Sequence, residues 1–204
     1  MIARPAHQLD RLTDRWWTLV SPGYDPGVAL VGWHRWLDAL VADVTSGRVL
    51  EVGCGPAHLA QGLLSRGVDD VGVDRNAAML ARAVRRVSAS AGRGVVIRAD
   101  VTALPFPPES FDTVVAAGVL GLLDLRSRRT ALREIARVSR GEVRLLEPVR
   151  RPGDPRRIGR SRLIGLVRDS PIELDELVDV GLQPELHGPP MLAGVYSMIR
   201  ATRS

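Results

Sequence analysis

Three acidic residues and a glycine-rich turn stand at intervals that suit a nucleotide-like ligand. In Val49-Leu50-Glu51-Val52-Gly53-Cys54-Gly55-Pro56-Ala57-His58 a buried strand runs into a turn and then a helix. Gly53 and Gly55 lack the Cβ atoms that hold a ligand off the backbone, and the helix behind them turns its N-terminus to the same space. A turn of this kind also suits tight packing with no ligand at all. Asp74, 19 residues after Gly55, ends the next apolar segment, where a carboxylate can accept both hydroxyls of a ribose. Asp100 ends the third, and with the backbone of Val101 it can receive an exocyclic amine. Either acid alone could simply cap a helix. Their recurrence at successive strand ends points to a site.

Several elements must position these groups. Leu9, Leu12, Trp16 and Leu19 recur at helical spacing over Leu9 to Val20, with Asp10, Arg11, Asp14 and Arg15 on the other face. Ser21, Pro22, Gly23 and Pro26 mark a break, and Leu30, Trp33, Leu37, Leu40, Val41 and Val44 predict a second helix. Strands at Arg48–Val52, Asp70–Val73, Gly94–Ala99, Asp112–Ala116 and Glu142–Glu147 then alternate with helices at Ala57–Arg66, Ala77–Ser88 and around Leu132, Ile135 and Val138. Strands separated by helices need crossovers, so the sheet is parallel and covered on both faces. The tail predicts a short helix carrying Ile172, Leu174, Leu177 and Val178 up to Gly181, then strands at Leu182–His187 and Gly194–Ala201 joined by Gly188, Pro189 and Pro190. The expected fold is α/β and doubly wound: a mostly parallel seven-stranded sheet, helices on both faces and an antiparallel C-terminal strand pair.

Composition narrows the class. The 204 residues, 45% hydrophobic and 25% charged, fit one globular domain and argue against wholesale disorder. We expect a helical cap over 1–46, a ligand-binding core over 47–148, a substrate-covering loop over 149–171 and a C-terminal helix and strand pair over 172–204. Cys54 is the only cysteine, so no intrachain disulfide forms and a reducing compartment is the default. The longest apolar stretch, Val114–Leu123, is half the length of a membrane-spanning helix, and the first ten residues lack the pattern of a secretory signal. A cytoplasmic chain is expected. All 28 basic residues are arginine, for a formal charge of +5. Arg150, Arg151, Arg156, Arg157, Arg160, Arg162 and Arg168 crowd one stretch that suits either an anionic substrate headgroup or solvent. No aromatic residue interleaves them, which argues against nucleic acid. The four histidines are scattered, and no metal site is expected.

In order and spacing, Glu51-x-Gly53-x-Gly55, Val71-Gly72-Val73-Asp74, Ala99-Asp100-Val101 with Leu104-Pro105-Phe106, and Ser110-Phe111-Asp112-Thr113-Val114-Val115 resemble the class I S-adenosylmethionine-dependent methyltransferases of the small-molecule type. The resemblance covers roughly Leu9 to Arg200. Val20-Ser21-Pro22-Gly23-Tyr24-Asp25 with Gly32-Trp33-His34-Arg35-Trp36 is similar to the quinone C-methyltransferases. The family implies that Glu51 holds the methionine amine, that Gly53, Cys54 and Gly55 admit S-adenosylmethionine, and that Asp74 takes the ribose. It further implies that Asp100 and Val101 take the adenine, that Arg75 and Met79 pack beside the adenosine, that Ala116 offers backbone to the methionyl group and that Tyr24 closes over the cofactor. The implied reaction carries the sulfonium methyl to an oxygen or carbon of a small, amphipathic or acidic acceptor, with no catalytic base named and the oligomeric state open. Three positions depart from the family pattern: Ala57 and Gly121 replace the usual glycine and a frequent histidine, and Ser139-Arg140-Gly141 shortens a Pro-Gly-Gly. They keep open a catalytically silent relative that binds cofactor as a regulatory protein. A nicotinamide-dependent oxidoreductase would share the turn and Asp74, but it expects a glycine near His58 and leaves Glu51 and Asp100 without a role.

Overall fold

A computed structural model describes residues 14–30, 33–149, 159–181 and 195–203. Residues 14–20 are helical (α1), Ser21–Gly23 form a 3₁₀ turn, and α2 (Tyr24–Leu30) and α3 (Trp33–Leu40) complete the N-terminal cap. The core then runs β1 (Arg48–Val52), α4 (His58–Ser65), β2 (Asp69–Asp74), α5 (Ala77–Ser88), β3 (Gly94–Arg98), β4 (Phe111–Ala117), a 3₁₀ turn (Leu120–Leu122), α6 (Leu125–Val138) and β5 (Ser139–Val149). It ends with α7 (Arg160–Arg168), β6 (Ile172–Gly181) and β7 (Val195–Arg203).

The strands form one seven-stranded sheet in the order β3-β2-β1-β4-β5-β7-β6. The first five are parallel, and β7 runs antiparallel to both β5 and β6. The chain order reverses direction between β1 and β4, which leaves a crevice at the carboxyl ends of these strands. Central strands read as unbroken apolar runs because both faces are covered. In β1 only Arg48 is exposed, and Val49, Leu50 and Val52 are buried. One face packs Leu132, Ile135 and Val138 of α6 against Leu50, Val114 and Val143, and the other packs Leu37 and Leu40 of α3 and Leu59 and Leu63 of α4 against Val49 and Val115. Asn76 and Asp124 fix where α5 and α6 begin, accepting the amides of Met79 and Ser127 at 3.0 and 2.7 Å.

Three expectations are corrected. The break after residue 20 is one 3₁₀ turn, and Tyr24 already begins α2; Pro26 sits in its first turn, where a proline removes no helical hydrogen bond. Residues 172–181, expected as a helix, form a strand. Register shifts between Leu174 and Glu176, so Asp175 is an extra residue, and this bulge spaces the apolar residues as a helix would. The strand pair is therefore β6 with β7, and the expected strand at Leu182–His187 lies outside the described residues. Finally, the expected covering loop is helical over α7. Leu163, Leu166 and Val167 are buried in the sheet core. Arg160 and Arg162 stay exposed on α7, while residues 150–158, with most of the arginine cluster, are outside the described residues.

Candidate cofactor site

The turn after β1 needs a left-handed backbone at three positions: Gly53 at φ +66°, Gly55 at +52° and Ala57 at +58°. At Gly53 the absence of a side chain also sets the packing. A Cβ there would stand 2.4 Å from Val119 Cγ2, so the loop after β4 rests directly on the turn. Asp74 ties the turn to the next helix, its Oδ2 accepting the Gly55 amide at 2.9 Å and its Oδ1 the Asn76 amide at 2.8 Å. Asn76 in turn donates its side-chain amide to Asp14 Oδ1 and Thr18 Oγ1 at 2.8 and 3.0 Å, which holds α1 across the crevice. Asp100 is exposed and folds back on its own turn, with Oδ1 accepting the Thr102 amide at 2.8 Å and the Thr102 hydroxyl at 2.7 Å.

Tyr24, Gly53, Gly55, Asp74, Arg75, Met79, Asp100 and Val101 line one cavity at the carboxyl edge. Glu51, Cys54 and Ala116 do not; all three are buried behind its wall. Beside Ala116 it is Ala117 and Gly118 that reach the cavity. Sequence reasoning also missed Asp14, Trp17, Asn76, Ala99, Val119, Leu122 and Leu123. Of these only Asn76 carried a usable signal, an N-cap type two residues after the strand-end acid.

Buried acids lie behind the cavity. Burial raises Glu51 well above the ordinary carboxylate range, Asp70 and Asp74 add to the shift, and Glu51 Oε2 has no partner. Asp70, fully buried with neither oxygen partnered, is raised to about 7 by burial. Burial also lifts Asp74, against the amides of Asn76, Gly55 and Arg75. The Cys54 thiol, pushed up mainly by burial, is no nucleophile. Two carboxyls without full hydrogen-bond partners, Glu51 and Asp70, thus lie buried behind the cavity wall. Among the described residues no group of three or more His, Cys, Asp or Glu could hold a metal.

The cap is latched to this core. Asp25 pairs with Arg82, with Arg86 at 3.2 Å and with His58 at 3.0 Å, and Tyr24 stacks on the His58 ring at 6.0 Å. Burial raises Tyr24 to about 12, with Glu51, Asp74 and Asp25 contributing, so its hydroxyl is a donor at neutral pH. Burial, with Arg86 and His34, lowers His58 to about 4. Neither His34 nor His58 lines the cavity.

Residues 49–142 match the methyltransferase domain family. The chain is 31% identical over 161 residues to the demethylmenaquinone methyltransferase of Roseiflexus castenholzii, covering 74% of this chain and 66% of that one. Residues 49–142 carry a methyltransferase domain, similar to that of the S-adenosylmethionine-dependent methyltransferases. The chain spans between 43% and 66% of the length of the first curated relatives it matches. The fold is shared with the magnesium protoporphyrin IX methyltransferase of Synechocystis, solved with bound S-adenosylhomocysteine, at 16% identity and a TM-score of 0.69 over 85% of this chain and 84% of that one. It is shared equally with the cyclase SpnF, at 22% identity and a TM-score of 0.69 over 83% of this chain and 80% of that one. Among the described residues no helix is long and apolar enough to cross a membrane.

The alanine that departs from the methyltransferase pattern has a measurable cost. Ala57 sits in the left-handed region, disfavoured by about 1–2 kcal/mol for a side-chain residue. Its methyl packs with Ala60, Leu64, Ala83 and Val87, and burying a methyl is worth about 0.8 kcal/mol. Ala57→Gly therefore exchanges strain for a lost methyl and a freer unfolded chain. In urea titration it should fall within about 0.5 kcal/mol of wild type, whereas a loss above about 1.5 kcal/mol would show that the turn is unstrained.

Proposed function

We propose that this chain transfers the methyl group of S-adenosylmethionine to an oxygen or carbon nucleophile of a small, amphipathic or acidic molecule. The observation that carries the reading is one cavity lined by the Gly53–Gly55 turn and Asp74, with Glu51 buried directly behind the turn and its Oε2 without a hydrogen-bond partner. Asp74 would take the ribose hydroxyls, Asp100 with the Val101 backbone the adenine, and Arg75 and Met79 the adenosine faces. Ala117 and Gly118, rather than Ala116, stand where backbone can meet the methionyl group. When bound, the cofactor supplies an already activated methyl. The protein's part is then alignment and exclusion of water, and positioning of this kind is worth about 7–11 kcal/mol.

Among the described residues no histidine reaches the cavity, and Tyr24 is held protonated, so the reading assigns no general base. The wall formed by Val119, Leu122 and Leu123, with Trp17 opposite, is apolar, and Leu122 and the nearby Leu125 are about half exposed. This favours an acceptor with a hydrophobic ring or tail. The Roseiflexus relative, named for a quinone substrate, supports the same class.

The test is incubation with methyl-labelled S-adenosylmethionine and a panel of hydroquinones and phenolic acids. Labelled product with stoichiometric S-adenosylhomocysteine is the expected result. A second reading, cofactor binding without turnover, rests on Ala57 and Gly121, which depart from the methyltransferase pattern. Tight binding with no label transferred to any acceptor would select it.

A further inference from the structure

We propose that Glu147 is a positioning residue: its carboxylate holds the loop after β4 as the wall of the cofactor cavity. Glu147 ends the buried stretch of β5 and is fully buried itself. Its Oε1 accepts the Val119 and Leu120 amides at 2.8 and 2.7 Å, and its Oε2 accepts the Gly121 amide at 3.0 Å. Three consecutive amides converge on one side chain, a cradle made for an anion and filled from within the protein. The carbonyls of the same loop face Arg128 of α6, whose Nε donates to Leu120 O at 2.7 Å and whose Nη2 donates to Gly121 O at 3.3 Å. The loop's polar groups are thus satisfied by one anion and one cation standing outside the cavity, while Val119, Leu122 and Leu123 face into it.

The loop bears on the cofactor turn. Val119 Cγ2 occupies the space that a side chain at Gly53 would need, so displacing the loop opens the cleft beside the turn. Gly121 lies directly over the carboxylate: a Cβ there would stand 3.4 Å from Glu147 Oε2, in ordinary contact with it. Burial raises Glu147 to about 7 against its three amides and Arg128, the charged group that faces it. Ionisation strengthens both oxygens as acceptors and removes a buried O–H that would need a partner of its own, so the wall should tighten as pH rises through neutrality.

This inference rests on the cofactor reading for its consequence but not for its first test. Amide hydrogen exchange on ligand-free wild type and Glu147→Gln is compared at pH 6 and pH 8, corrected for the intrinsic rate. Residues 118–123 should exchange at least tenfold faster in the variant at pH 8, with β4 and β5 amides unchanged. Wild type should approach the variant at pH 6. Calorimetry with S-adenosylhomocysteine should then show at least tenfold weaker binding in Glu147→Gln. Unchanged exchange in the loop, or acceleration spread evenly over the sheet, overturns the proposal, as does a loosened loop that binds S-adenosylhomocysteine as tightly as wild type. Should the variant fail to fold, the wild-type comparison between the two pH values decides alone. Wild type that binds no S-adenosylhomocysteine refutes the cofactor reading, whatever the exchange data show.

Discussion

Asp74→Ala should weaken S-adenosylhomocysteine binding by more than 100-fold in calorimetry. Two bonds from ribose hydroxyls to a buried carboxylate, at about 1.5–3 kcal/mol each, account for a loss of about 3 kcal/mol or more, which is over two decades in affinity. The structure adds a second cause. Asp74 also accepts the amides of Gly55 and Asn76, so its removal frees the glycine turn and the start of α5 together. Asp74→Asn separates the two effects. It keeps an oxygen for one amide and turns an NH₂ toward the other, so most of the affinity is still lost while the fold survives. Binding by either variant at wild-type strength would remove Asp74 from the site and with it the cofactor assignment of the cavity.

The legible parts of this chain were those where one physical pattern acts alone. The strands β1, β2 and β4 are covered on both faces, so they appear as short apolar runs whose ends differ from prediction by a residue or so. The Gly53–Gly55 turn and the acids Asp74 and Asp100 were legible because they sit at strand ends, where spacing along the chain translates directly into position. What failed was set by distant partners. The β6 segment shows helix-like spacing only because Asp175 is bulged out, and β7 determines the outcome by pairing with it. Asp14 and Trp17 reach the cavity because Asn76, 62 residues from Asp14, anchors α1 by a side-chain bond. Glu147 hides inside a strand pattern, and nothing local announces that three amides of another loop meet it. The stretch expected as a substrate cover gives Leu163, Leu166 and Val167 to the sheet core instead, which only the packing partners decide.

Asp70→Asn should stabilise the protein at pH 8 and do so much less at pH 5. Asp70 stands opposite Val49 in the β1–β2 register, two residues before Gly72, which is opposite Glu51, so the two carboxyls share one face of adjacent strands. It is fully buried, and neither oxygen has a partner. A carboxyl raised by burial from its ordinary 3.8 to about 7 keeps its proton in the folded chain where the unfolded chain has released it. The folded state therefore binds more protons between these values, and stability falls as pH rises through that window and levels off above it. Ionised, the group costs the fold up to about 4 kcal/mol. The amide removes that cost but leaves its own buried polar atoms unpaired, at about 1–3 kcal/mol, so a net gain of about 1–3 kcal/mol is expected at pH 8 in urea titration. Near pH 5 most of the carboxyl's cost is absent, and the gain should shrink toward zero or reverse. A difference between variant and wild type that does not change with pH would mean that Asp70 is not the titrating group.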